Sequence, residues 1–307
     1  MTFFAVLFAL VLDQARRPGP TPPWQPAIAG WAAWVQRQLD AGHAVHGWLV
    51  WGVALGVPTG LAALIHAALA QAHGLLAFAW TVALLYVTLG FRQFSHHFTA
   101  IRTALESGDE AAARALFAQW QGTTAVDWPR EELLRRVIAH AIIASHRHVL
   151  GVFVWFVLGA ALGLGPAGAV AYRLAAWLAQ AWMQPSAATP VSEPVARLAQ
   201  RAWCWIDALP ARLTVLGFAM VGHFEDALER WRQHQRPWHE PSDELLLSVA
   251  EGALQVRLCR SAAPDEGGLS VLPTPQLAHL SSVVGLLWRS VVLWLMLLGL
   301  ALLARIF

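Results

Sequence analysis

The stretch His46–Ala72 runs for 27 residues without an Arg, Asp or Glu, and Trp48 and Trp51 stand near one end. An α-helix needs about 20 apolar residues to cross a hydrocarbon core of about 30 Å, so this run alone can span a bilayer. Inside lipid the backbone must satisfy its own hydrogen bonds, which leaves helices and closed barrels as the only solutions. Gly74–Phe91 is a second such run, and Gln71-Ala72-His73-Gly74 between them is a tight connection. Val283–Leu303 is a third, interrupted only by Arg289, which must snorkel or meet a buried carboxylate.

The 34 residues of Val149–Trp182 are apolar except for Tyr172, Arg173 and Gln180. That is too long for one span, and Gly163-Leu164-Gly165-Pro166 at the centre ends a helix. The spacing predicts a hairpin of Val149–Leu164 and Ala167–Trp182; the alternative is one crossing followed by an interfacial helix. Met1–Leu12 is apolar but short, with no basic residue before Arg16. It reads as a retained, partly buried helix and not as a signal peptide.

Charge supports the same class. Only 13% of the residues are charged, against about a quarter in soluble domains. All 21 basic residues are Arg, which reads as the codon bias of a GC-rich genome. A net charge of +2, with no basic stripe among aromatics, gives no support for nucleic-acid binding. Cys204 and Cys259 lack CxxC spacing, so the expectation is two free thiols and no structural zinc.

Arginine sets the orientation. Segment 92–148 holds seven, 183–281 holds eight, and the turns at 71–74 and 163–166 hold none. By the positive-inside rule the long segments face the cytoplasm. The expectation is an all-α fold: a polytopic membrane helix bundle with cytoplasmic helical hairpins, multi-pass in a bacterial inner membrane. It treats 1–307 as a single membrane domain whose cytoplasmic segments are 92–148 and 183–281.

Within 92–148, Asp109 is placed to cap a helix through Trp120, with Glu110 and Arg114 four apart on it. Pro129 opens a further helix, Arg130–Ser145, that runs into the membrane. In the second segment a helix is expected over Ala196–Asp207 and a break at Ala208-Leu209-Pro210. Ala211–Val221 then reads as a buried or re-entrant helix too short to cross, and Gly222–Gln233 as amphipathic. Asp265–Gly268 and Pro273-Thr274-Pro275 mark a linker.

No phosphate-binding loop, GxSxG, HExxH or dinucleotide fingerprint occurs. The chemistry-bearing residues sit at helix ends: His96 and His97 after one span, His146, Arg147 and His148 before the next. Arg212 lies in an apolar stretch, and Asp207 precedes it by five. Guanidiniums and imidazoles at one membrane depth suit a phosphate or carboxylate, so these six basic residues form the candidate anion- or nucleotide-binding set. Helix-end solvation is the plainer reading, and Asp207–Arg212 can equally be a structural pair. Asp13 and Asp207 are the candidate acids. No residue is assigned as catalytic and none as a metal ligand.

The run Asp207-Ala208-Leu209-Pro210-Ala211-Arg212-Leu213-Thr214 resembles the CobD/CbiB family of cobalamin biosynthesis. Looser resemblances follow at Ala104–Arg114, Phe153-Val154-Trp155 and Ala171-Tyr172-Arg173, where the family has Ala-Tyr-Lys. The resemblance implies a membrane protein that joins cobyric acid to an aminopropanol or its phosphate, using ATP. It also extends to AmpE, an inner-membrane relative tied to β-lactamase regulation, at Arg147 and Gly222-His223.

Where the synthases carry Glu-Asn-Thr-Ser-Asp-Gly, this chain has Ala144-Ser145-His146-Arg147-His148-Val149. Where they carry Thr-Leu-Asp-Ser, it has Trp177-Leu178-Ala179-Gln180, without an acid. ATP chemistry uses carboxylates to hold Mg²⁺. These departures lead to an expectation of an AmpE-like sensory or ligand-binding protein with the synthase motif lost. Its partners would be the lipid bilayer and an anionic small molecule or nucleotide. The alternative is a divergent adenosylcobinamide-phosphate synthase, in which case ATP and Mg²⁺ are the cofactors.

Overall fold

The structure is a computed structural model that describes residues 2–15, 25–40, 42–183, 191–234, 237–259 and 272–304, except for the side chains of 13–15, 44–45 and 91–95. Among these residues every regular element is helical, as the sequence predicts. The chain folds as two compact units. One comprises Met1–Phe91, Arg147–Pro210 and Trp238–Glu240, the other Arg92–His146, Ala211–Pro237 and Pro241–Phe307.

The first unit holds α1 (Thr2–Ala15), α2 (Gln25–Leu39), α3 (Ala44–Ala72) and α4 (Gly74–Thr88). α3 and α4 pack together about His73, whose side chain accepts from the backbone N–H of Leu75. α4 has 15 residues, about 22 Å of helix, and so falls short of the crossing expected for Gly74–Phe91. Leu89 ends it in extended backbone, and α5 starts afresh at Phe91. α1 packs on α4 and buries Ala5, Val6 and Ala9, the partly buried helix expected from Met1–Leu12.

The stretch Val149–Trp182 is a hairpin: α8 (Gly151–Ala161) and α9 (Ala167–Met183) pack antiparallel. Gly151 meets Tyr172, and Gly159 meets Gly168, where backbones approach too closely for any side chain. The turn needs Gly163 and Gly165 at positive φ, 77° and 58°.

The structure corrects the break expected at Pro210. α10 runs from Glu193 to Val221 in one piece, with Pro210 inside it. A proline interrupts a helix by removing the N–H that would bond four residues back, here at the Ile206 carbonyl. That carbonyl accepts instead from Trp155 Nε1–H at 3.0 Å, so the helix continues. The same substitution occurs at Pro58 within α3, where Trp31 Nε1–H donates to the Ala54 carbonyl at 3.2 Å. At 29 residues α10 is long and apolar enough to cross a membrane, as are His46–Ala72, Arg130–Ala161 and Leu277–Leu303. Trp48, Val57, Leu61 and Leu64 on α3 face outward, and lipid is the solvent that accepts such a surface.

The second unit begins with α5 (Phe91–Glu106), α6 (Glu110–Gln121) and α7 (Arg130–Ser145). Asp109 caps α6 by accepting from Ala112 N–H at 2.9 Å, Arg114 pairs with Glu110 at 3.0 Å, and Gly122 ends the helix in left-handed backbone. α11 (Phe224–Gln233) packs on α12 (Asp243–Leu254), a buried helix that the sequence reading did not assign. α12 in turn meets α7 and α13 (Leu277–Leu303). Glu251 organises this region: its carboxylate pairs with Arg230 at 3.0 Å and accepts from the backbone N–H groups of Leu258 and Cys259. Pro273–Pro275 has no regular structure, and the Asp265–Gly268 part of the expected linker lies outside the described residues.

Candidate functional site

Between α7 and α8 the chain does not keep the α-helical step. His146–Leu150 forms one π-helical stretch, the segment that carries His146, Arg147 and His148. Such insertions are rare and concentrate at functional sites because they re-aim side chains within a continuous helix.

In the first unit, Arg147 and His148 are brought together with residues of α9 and α10. The Arg147 guanidinium lies over the Trp203 ring at 5.9 Å. The Tyr172 ring tilts against the same Trp203 at 5.1 Å, and its hydroxyl donates to Asp207 at 2.7 Å. Tyr172 and Asp207 are both buried. Arg173 donates from a terminal nitrogen to His148 Nδ1 at 3.3 Å. Because a guanidinium only donates, that bond requires a bare Nδ1, and the His148 proton sits on Nε2.

Glycines make the room. A Cβ at Gly151 would collide with the Tyr172 hydroxyl, and one at Gly90 would stand 2.7 Å from His148 Nδ1. One guanidinium on each side of a hairpin, with an imidazole, a phenol and a carboxylate, makes a cluster suited to planar recognition of a carboxylate or phosphate.

His96, His97, His146 and Arg212 fall in the second unit. His146 is fully buried, with Nδ1 2.9 Å from the Thr214 hydroxyl. Arg212, just before Thr214 on α10, is half-buried. His96 is exposed; His97 stacks on Trp120, whose ring meets His140 edge-on at 4.4 Å. Burial, and then the neighbouring His96, hold the His97 imidazole below its ordinary range. The carboxylate of Asp13 lies outside the described residues. Both cysteines are free, and among the described residues no group of three His, Cys, Asp or Glu is placed to hold a metal ion.

Tyr172, Arg173 and Trp203 were not in the sequence-derived set. Arg173 had a signal: it is the lone charged residue of Val149–Trp182 and precedes no helix end, so a span must give it a partner.

Four helices among the described residues are long and apolar enough to cross a membrane, and one unit holds two half-buried arginines beside a buried phenol and carboxylate; together these define a polytopic membrane protein with an internal polar site. A family model described as CobD/Cbib protein matches residues 3–274, and the chain belongs to that family. A cobalamin biosynthesis protein CobD of Chromobacterium violaceum is 28% identical over 304 residues, covering 93% of this chain and 92% of the relative. One of Stutzerimonas stutzeri is 29% identical over 226 residues, 71% of each. No solved structure matches.

Proposed function

We propose that this chain works in cobalamin biosynthesis in a bacterial inner membrane, in the amide-forming step that attaches an aminopropanol or its phosphate to cobyric acid. The family match over nearly the whole chain supports this reading, as do two relatives named for cobalamin biosynthesis. The same relatives favour it over the sensory role that the missing acidic motifs suggested.

The observation that carries the reading is the Arg147–His148–Tyr172–Arg173–Asp207 cluster in the first unit. Cobyric acid brings a carboxylate and the phosphorylated aminopropanol a phosphate, and guanidinium forks recognise either. Arg147 and Arg173 would hold the anion, and Asp207, through Tyr172, would fix the phenol's direction. Mg²⁺ prefers several oxygen ligands, and a cluster with one carboxylate among cations does not fit it. No step through a metal–nucleotide complex is therefore assigned to these residues.

The test is complementation of a bacterial strain that lacks its cobinamide synthase, supplied with cobyric acid and grown under cobalamin-dependent conditions. The wild-type gene restores growth, and Arg173→Ala does not while its membrane level stays unchanged. Failure of the wild-type gene, expressed and membrane-inserted, overturns the assignment.

A further inference from the structure

Arg289 is the one charged side chain of α13, twelve residues in from Leu277. It is exposed, and its Nε–H donates to the carbonyl of Gly285 at 3.1 Å, one turn back toward the N-terminal end of the helix. No carboxylate among the described residues pairs with it. A guanidinium inside such a span is expensive, and the side chain lies back toward the N-terminal end of the helix.

The surroundings continue that direction. Gly285 leaves open space beside the helix, since a Cβ there would meet nothing within 4 Å. Ser281 and Ser282, a further turn toward the N-terminus, are exposed. Away from Arg289 in the other direction, Val292, Met296, Leu300 and Leu303 are all exposed at helical spacing. One face of α13 therefore offers hydroxyls, an open backbone, a guanidinium and then an apolar stripe about 16 Å long. That order matches a phospholipid lying along a helix: phosphate at the cation, acyl chain on the stripe.

We propose that this face of α13 binds one anionic phospholipid, with Arg289 on its phosphate and Val292, Met296 and Leu300 along an acyl chain. A zwitterionic headgroup carries its own ammonium beside the phosphate and competes with Arg289 for it. The site therefore favours phosphatidylglycerol over phosphatidylcholine.

Native mass spectrometry of the full-length protein in detergent, with either lipid added at equal concentration, reads the outcome. Wild-type protein retains one phosphatidylglycerol in preference to phosphatidylcholine. Arg289→Gln lowers that retention about fivefold, the ratio expected from one guanidinium at an anionic interface. Gly285→Leu fills the open groove with the charge intact and lowers retention as well, which covers the case of a poorly folded Arg289 variant. Equal retention of the two lipids by wild-type protein overturns the proposal. So does undiminished retention in both variants, or a protein dimer of wild-type mass in place of the lipid adduct, which would give the face to a second copy.

Discussion

Trp155 and Ile206, 51 residues apart in sequence, are joined by a hydrogen bond from the indole N–H to the backbone carbonyl at 3.0 Å. The bond replaces the one that Pro210 cannot make, and it lets α10 pass unbroken through a proline. In lipid no water can take over an orphaned carbonyl, so a neighbouring helix has to supply the donor. Trp31 does so for Ala54 ahead of Pro58, which makes the device general to this chain's first unit.

Trp155→Phe is expected to lower stability by about 1–3 kcal/mol, the cost of leaving a buried polar group unsatisfied. Pro210→Ala restores the backbone donor, so it should cost less, or even stabilise, in the Trp155→Phe background than in wild type. Thermal unfolding of the four proteins in one detergent gives the coupling. Equal effects of Pro210→Ala in the two backgrounds would show that the indole is not serving the proline's carbonyl.

Gly151→Ala is expected to disable the site without touching a polar residue. The added methyl must displace the buried Tyr172 hydroxyl, which breaks its bond to Asp207 and overpacks the hairpin by about 1–3 kcal/mol. At Gly56 an added methyl would meet nothing within 4 Å, so Gly56→Ala serves as the matched control. Complementation should fail for the first and persist for the second; persistence in both would remove Tyr172 from the site.

Cys259 provides a pH signature. Burial, followed by the neighbouring Glu251 carboxylate, pushes its thiol from 9.0 up to about 12. The unfolded chain therefore loses this proton before the folded one does, and linkage requires stability to fall as pH rises between those values. Its contribution is fully present below 9.0 and gone above about 12. The wild-type midpoint should drop from about pH 8 to about pH 10.5 by more than that of Cys259→Ser, and alkylation of the folded thiol should be slow at about pH 8. Matching drops would place Cys259 away from Glu251.

Local rules accounted for much of this architecture. The helix Arg130–Ser145 was legible to the residue because Pro129 starts it, and the Asp109 cap because a carboxylate follows a glycine turn. Arg147 and His148 were legible as site candidates because they are polar groups at the mouth of an apolar run. The helix over Asp243–Leu254 was not, since it is a short apolar run whose burial is supplied by α7, α11 and α13, helices distant from it or outside its own segment.

What the sequence determined by itself is the solvent of the chain: apolar runs of span length leave the backbone no choice but helix, and their turns are marked by Gly and Pro. What only the tertiary structure decided is how the exceptions are reconciled. Whether Pro210 breaks a helix depends on an indole from a different helix, and whether Asp207 is a site acid depends on a phenol 35 residues away. Local propensity describes one segment and its solvent; these outcomes depend on which donor a second segment brings to an unsatisfied acceptor.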